Sequence, residues 1–208
     1  RLFRNELRLW NVPQRYALAV EATPPPRAAL LPHIWLSDEE SRQGQRLLEQ
    51  LPDKAGTPPI ALHPYATHPD KAWKEAYWRQ LVELFESRGI PWIVIGRGSG
   101  MEGIPASRNF TNRTSLRETC ALLKSSSLLI TGDSGPMHLA GAVGTPVLAL
   151  FGPTTEEWGF FPAGPKDRVL ESQLDCRPCT LHGKKHCDRN HACMQSITPE
   201  QVMRALDE

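Results

Sequence analysis

The order of apolar and polar residues predicts strands that alternate with helices from residue 57 onward. Four short apolar runs have the length of buried strands, namely residues 60–62, 91–95, 128–131 and 147–151. Between them, residues 74–88, 115–124 and 135–143 have the apolar spacing of amphipathic helices. Residues 109–111 add a candidate edge strand. Apolar strands that alternate with helices are typical of an α/β fold, in which helices cover both faces of a parallel sheet.

Residues 1–56 have a different pattern, which predicts an extended entry segment. A short helix is expected at residues 1–10 and is stopped by Pro13, and three prolines at 24–26 form a stiff spacer. Ser37 and Glu40 have the spacing of a capping box, which predicts a helix from Asp38 to about residue 51. The segment resembles a bridge between domains more than a core.

Composition excludes several classes of protein. The 208 residues are 40% hydrophobic and 23% charged, as expected for a globular chain and not for a disordered or collagen-like one. With 24 basic and 23 acidic residues the net charge is +1, which argues against a dedicated nucleic-acid binder. The longest apolar runs are too short to span a bilayer. The chain begins at Arg1 and shows no signal peptide, so we expect a fragment or a processed product.

The loop at residues 132–138 carries the strongest signal for a ligand. It follows a predicted strand and opens a predicted helix, so its free N–H groups suit a phosphate. Gly135 allows close approach of the backbone, Ser134 either caps the helix or donates its hydroxyl, and His138 lies one turn into the helix. The alternative is a plain strand-to-helix turn in which Asp133 and Ser134 only cap.

Two further loops are expected at the same edge of the sheet. Residues 63–73 carry Thr67 and Lys71, which suit a diphosphate, and residues 152–156 follow the strand that ends at Phe151. Either loop alone could be an ordinary solvated turn. Together the three loops favour a binding site for an anionic ligand.

The cysteines fall into two groups. Cys120 lies in a helical pattern and is expected in the core. The other four, Cys176, Cys179, Cys187 and Cys193, lie within a segment at residues 175–194 and have spacing that suits a tetrahedral thiolate site for zinc or iron. One of the nearby histidines could replace a thiolate: His182, His186 or His191. Free or redox-active thiols, disulfides and a basic zinc ribbon for nucleic acid remain alternatives.

Several motifs in a fixed order resemble one enzyme family. They are Lys71-Ala72-Trp73, then residues 133–140, then Gly144-Thr145-Pro146, then residues 150–154. In this order they resemble the bacterial heptosyltransferases, which form glycosyltransferase family nine. The resemblance implies the GT-B fold, with two Rossmann-like domains. Residues 57–208 correspond to the carboxyl-terminal, donor-binding domain, and residues 1–56 to the tail of the amino-terminal domain and the bridge.

The resemblance also implies a reaction. It is the transfer of heptose, with inversion, from ADP-heptose to a lipid-linked acceptor of the lipopolysaccharide inner core, and it needs no cofactor. It further implies a cytoplasmic protein. Peripheral contact with the inner membrane, through the amino-terminal domain, remains an open alternative. The catalytic base is expected on that domain, so residues 1–208 alone are expected to be inactive.

By the same resemblance, seven residues are expected to bind the donor. Lys71 contacts the phosphate and sugar, Thr67 contacts the donor, and Asp133 holds the heptose hydroxyls. The diphosphate-binding helix start comprises Ser134, Gly135 and His138, and Glu102 reads the nucleoside. Two other functions remain open: another nucleotide-sugar enzyme of this architecture, such as a sugar-nucleotide epimerase, or a binding module without chemistry. A preference for UDP-sugars over ADP-sugars would favour the epimerase.

Overall fold

The fold is built on a five-stranded parallel sheet. A computed structural model describes residues 9–52, 56–180 and 187–207. The strands lie in the order β2-β1-β3-β4-β5, and every pair is parallel. Their bounds are β1 Ile60–His63, β2 Trp92–Val94, β3 Leu128–Gly132, β4 Val147–Phe151 and β5 Arg168–Glu171. The α/β parallel sheet predicted from the apolar pattern is confirmed.

Helices cover both faces of this sheet. In chain order they are α1 Val12–Ala17, α2 Asp38–Leu48, α3 Glu75–Arg88, α4 Leu116–Lys124, α5 Gly135–Val143, α6 Ala192–Gln195 and α7 Pro199–Asp207. Short 3-10 turns form at Arg27–Leu30, Pro69–Lys71 and Glu156–Trp158. Within the described residues, no helix is both long and apolar enough to cross a membrane.

Alternate residues of each strand face two separate cores. On one face, Leu62 and Ile130 pack with side chains of α3 and α7, such as Trp78 and Val202. On the other face, neighbouring strand residues pack with α4, α5 and the leucines of α2. Cys120 of α4 is buried, as expected. Because both faces are covered, strands β1 to β4 are largely apolar rather than alternating.

Helix α2 of the entry segment packs directly onto α4. The Cα of Gly44 lies so near the backbone of Ala121 that an added Cβ would be 2.6 Å from the Ala121 carbonyl oxygen. Arg117 of α4 donates to the Glu40 carboxylate at 2.6 Å and lowers the pKa of Glu40 to about 2. The capping box of Ser37 and Glu40 is present.

Four expectations about the elements need correction. Pro13 lies in the first turn of α1, where its missing N–H costs nothing, and does not stop a helix; residues 1–8 lie outside the described chain. Helix α2 ends at Leu48 rather than near residue 51. Residues 109–111 form only a single parallel bridge, from Asn109 to Val94. The sequence analysis did not predict strand β5, because its half-buried edge position leaves it without an apolar run.

Candidate functional site

The carboxyl ends of three neighbouring strands bring the predicted loops together. His63 pairs with Thr131 across β1 and β3, and Gly132 pairs with Leu150 across β3 and β4. The loops after β1, β3 and β4 therefore leave the same edge of the sheet, as predicted. In open parallel sheets this edge is where ligands bind.

Lys71, Asp133 and Thr154 meet at this edge, one from each loop. Lys71 Nζ lies 2.6 Å from Asp133 Oδ2, and the Thr154 hydroxyl donates to the same oxygen at 2.9 Å. The Lys71 and Asp133 side chains are each 13% exposed. The ion pair is thus largely withdrawn from water. In such a partly buried position charges attract each other more strongly than at the surface.

A second group of polar side chains lies at the start of α5. The Thr131 hydroxyl oxygen is 3.0 Å from His63 Nδ1 and 3.0 Å from the Ser134 hydroxyl oxygen. Ser134 is the residue before α5, but its hydroxyl makes no capping bond, because it is engaged with Thr131 and with the Gly132 carbonyl. Ser134 is therefore the N-cap of α5 by position, as predicted, but without a side-chain capping bond. Burial lowers the pKa of His63 to about 4, so its imidazole is neutral at physiological pH.

A cavity of about 450 Å³ opens beside these groups. It is lined by residues that include Tyr65, Thr67, Arg97, Thr114, Ser134 and Gly135. The Tyr65 hydroxyl is 2.7 Å from the Thr111 hydroxyl oxygen, and its ring packs so closely on Gly98 that a Cβ there has no room. The volume is within the range of small-molecule sites, about 300–1,000 Å³.

The other predicted donor residues lie at different places. His138 lines a second cavity of about 540 Å³ on another face of α5, beside Phe160 and Phe161. Burial lowers the pKa of His138, and Asp133 partly opposes that shift. The Glu102 side chain is 95% exposed and lies 3.9 Å from Arg79 of α3. Lys71 and Asp133 adjoin the first cavity through Ser134 and are not part of its lining.

The four clustered cysteines line a single small cavity. Cys176, Cys179, Cys187 and Cys193 face a space of about 120 Å³ together with Asp70 and His191. All four are unoxidised thiols rather than members of disulfides. In the described residues no three His, Cys, Asp or Glu side chains are close enough to hold an ion, so the predicted four-thiolate shell is not formed. His182 and His186 lie outside the described chain.

Three residues near this edge were not predicted from the sequence as site residues, namely Thr131, Tyr65 and Arg177. Thr131 is a hydroxyl residue at the end of an apolar strand, which is a usable signal. Arg177 lies between two cysteines in Cys176-Arg177-Pro178-Cys179 and was considered only as a basic residue. Its burial depends on tertiary contacts that the local sequence does not indicate.

The chain is similar in sequence to one family of enzymes. Residues 10–188 match the family model for glycosyltransferase family 9 (heptosyltransferase). Lipopolysaccharide heptosyltransferase 1 of Pseudomonas aeruginosa is 35% identical over 67% of this chain and 40% of its own length. Lipooligosaccharide heptosyltransferase 2 of Haemophilus influenzae is 28% identical over 94% of this chain and 61% of its own length.

A solved structure shows the same fold. The structure of Escherichia coli ADP-heptose lps heptosyltransferase II superimposes with a TM-score of 0.65 at 24% identity, over 88% of this chain and 54% of that one. The chain therefore spans about half the length of this structure. At this level of identity the likeness concerns the fold.

Proposed function

Because this chain belongs to glycosyltransferase family 9, the heptosyltransferase family, we propose that it supplies the donor-binding half of an enzyme that transfers heptose from ADP-heptose. The acceptor we propose is a lipid-linked sugar of the lipopolysaccharide inner core. The observation that carries the proposal is the Lys71–Asp133 pair, held at 2.6 Å beside the start of α5. A cation, a carboxylate and the positive end of a helix dipole at one sheet edge suit a sugar diphosphate.

The donor diphosphate is assigned to the start of α5. The positive end of the helix dipole attracts the phosphates, and Gly135 offers open space for their approach. The Ser134 hydroxyl and Thr67 border the same cavity. Lys71 supplies positive charge. When the glycosidic bond to the diphosphate breaks, negative charge develops on the leaving group, and these fixed donors stabilise it.

The heptose is assigned to Asp133. Its carboxylate accepts hydrogen bonds from sugar hydroxyls while Lys71 and Thr154 hold it in place. His138, which lines the second cavity on another face of α5, is also assigned to the phosphates. Glu102 is assigned to the nucleoside, and its side chain is exposed to solvent in this structure.

The remaining steps are assigned to the part of the relatives that this chain does not cover. Inversion at the anomeric carbon requires a base that takes the proton of the acceptor hydroxyl from the face opposite the diphosphate. We assign that base and the acceptor surface to an amino-terminal domain, of which residues 1–56 are the tail and the bridge. Residues 57–208 form the donor domain. Since the acceptor is lipid-linked, we locate the transfer in the cytoplasm at the inner face of the inner membrane.

Calorimetry of this chain with nucleotides tests the proposal. We expect ADP-heptose and ADP to bind, and UDP-sugars to bind at least about tenfold more weakly, which corresponds to about 1.4 kcal/mol. We also expect no heptose transfer by this chain alone. Preference for UDP-sugars would favour the epimerase alternative. Absence of binding by any of these nucleotides would overturn the donor-binding role.

We also propose that the four clustered cysteines hold a structural zinc or iron ion, separate from the chemistry of transfer. The support is that four cysteine thiols line one cavity, into which the buried Asp70 also faces, and thiolates are ligands for both metals. Forming the shell requires the thiols to move closer together. Elemental analysis of freshly purified, reduced protein is expected to find about one metal ion per chain, because one set of four thiolates binds one tetrahedral ion. Finding no bound metal would overturn this assignment.

A further inference from the structure

Arg177 connects the described part of the cysteine segment, residues 175–180 and 187–194, to the loop after β4. Its side chain is 4% exposed, although it carries a full charge. Its N–H groups donate to four backbone carbonyls and one carboxylate. These acceptors are the carbonyls of Phe151, Gly152, Thr154 and Ser172 and the side chain of Glu171. Arginine suits this position because its five N–H donors are fixed in a plane.

The loop that Arg177 holds is the one that carries Thr154. Two further contacts from the cysteine segment fix the same loop. The Cys179 N–H donates to the Pro153 carbonyl at 3.2 Å, and Met194 packs so tightly on Gly152 that a Cβ at Gly152 has no room. The position of the Thr154 hydroxyl on Asp133 therefore depends on the cysteine segment.

A second connection reaches Lys71. His191 Nε2 lies 2.7 Å from Asp70 Oδ1, and the Asp70 side chain is 7% exposed. Asp70 directly precedes Lys71 in the 3-10 turn Pro69–Lys71. His191 thus fixes the turn from which Lys71 extends to Asp133. The two connections hold both partners of Asp133 from the same segment.

From this arrangement we propose that the cysteine segment is a clamp for the donor site, in which Arg177 and His191 are positioning residues that act through Thr154 and Lys71 on Asp133. The proposal rests on the proposed function, because Asp133 is assigned there to the sugar. Neither Arg177 nor His191 touches the donor. Loss of either is expected to loosen the Lys71–Asp133 pair and to weaken the part of donor binding that depends on the sugar.

The first experiment needs no ligand. It measures the rate at which an amine-acylating reagent modifies Lys71 in the full chain, read by mass spectrometry. In His191→Leu the rate is expected to rise about 3- to 10-fold, the size typical of coupling through residues that touch no ligand. His191→Gln keeps an N–H donor and is expected to restore the wild-type rate. The exposed Lys74 is the internal control, and its rate is expected to stay constant.

The second experiment measures the ratio of ADP-heptose to ADP affinity. In Arg177→Lys the ratio is expected to fall about 3- to 10-fold, since lysine cannot reach all the carbonyls. Arg108→Lys is the matched control. Arg108 is 6% exposed and donates to the carbonyl of Trp92 on β2, the edge strand on the side of the sheet away from β4 and β5. It is expected to lower stability while leaving the ratio unchanged. In a Thr154→Val background, Arg177→Lys is expected to have no further effect on the ratio.

The outcomes separate the two proposals. If the wild-type chain binds neither nucleotide, the proposed function fails, and the acylation rate of Lys71 still decides the clamp. If Lys71 is acylated at equal rates in wild type, His191→Leu and Arg177→Lys, the clamp is overturned even when ADP-heptose binds. Should His191→Leu fail to fold, His191→Ala, which also removes the contact with Asp70, replaces it under the same criterion.

Discussion

Lys71 Nζ and Asp133 Oδ2 lie 2.6 Å apart, although the two residues are 62 positions apart in the chain. Each lies in the loop that follows one of two adjacent parallel strands, so the sheet itself brings them together. Lys71 has a carboxylate partner in this structure, and under the proposed function it is expected to gain the diphosphate as a second partner when the donor binds. The pair is therefore the most informative place for substitutions.

Lys71→Ala is expected to weaken ADP binding about 10- to 100-fold, because a charge-assisted hydrogen bond contributes about 1.5–3 kcal/mol and 1.4 kcal/mol is a factor of ten. Isothermal calorimetry measures the change. Lys74→Ala is the control: Lys74 is exposed and lies over the Tyr77 ring. Equal ADP affinity of Lys71→Ala and wild type would contradict the assignment.

Asp133→Asn is expected to weaken ADP-heptose binding more than ADP binding. The carboxylate is assigned to the sugar hydroxyls, and hydrogen bonds to charged groups are stronger than those to neutral amides. The two affinities are measured side by side on the same preparation. A variant that loses affinity for both ligands by the same factor would show that Asp133 acts only by orienting Lys71.

The sheet and its loops could be predicted from the sequence because each strand is a short apolar run and each loop begins where the run ends. The order of motifs from Lys71 to Thr154 also indicated the family, which the comparisons confirm. Strand β5 could not be predicted, since an edge strand needs no continuous apolar run. The contacts of Arg177 could not be predicted either, because they join residues that are near one another only after β4 and the cysteine segment have packed.

Protonation of His63 is expected to make stability depend on pH. Burial lowers the pKa of His63 from 6.5 to about 4, so the unfolded chain takes up this proton at a higher pH than the folded chain. The contribution of neutral His63 to the free energy of unfolding is fully present above about pH 6.5. It is lost as the pH falls toward 4, and the loss is at most about 3 kcal/mol.

Urea denaturation at pH 7 and pH 5 measures this loss. In His63→Gln the drop in unfolding free energy between the two pH values is expected to be smaller than in wild type, since all other titrating groups are shared. An identical drop in both proteins would mean that His63 titrates normally in the folded state.

Gly135→Ala is expected to lower ADP affinity without lowering the melting temperature. An added Cβ at Gly135, the first residue of α5, meets no atom within 4 Å, so the melting temperature should hold. Under the proposed function the same Cβ stands where a phosphate approaches the start of α5, so ADP affinity should fall. Gly141→Ala is the matched control, because Gly141 lies in the same helix and its Cβ also meets open space. It should gain stability and keep ADP affinity. If calorimetry finds the same ADP affinity for both alanine variants, the diphosphate does not bind at the start of α5.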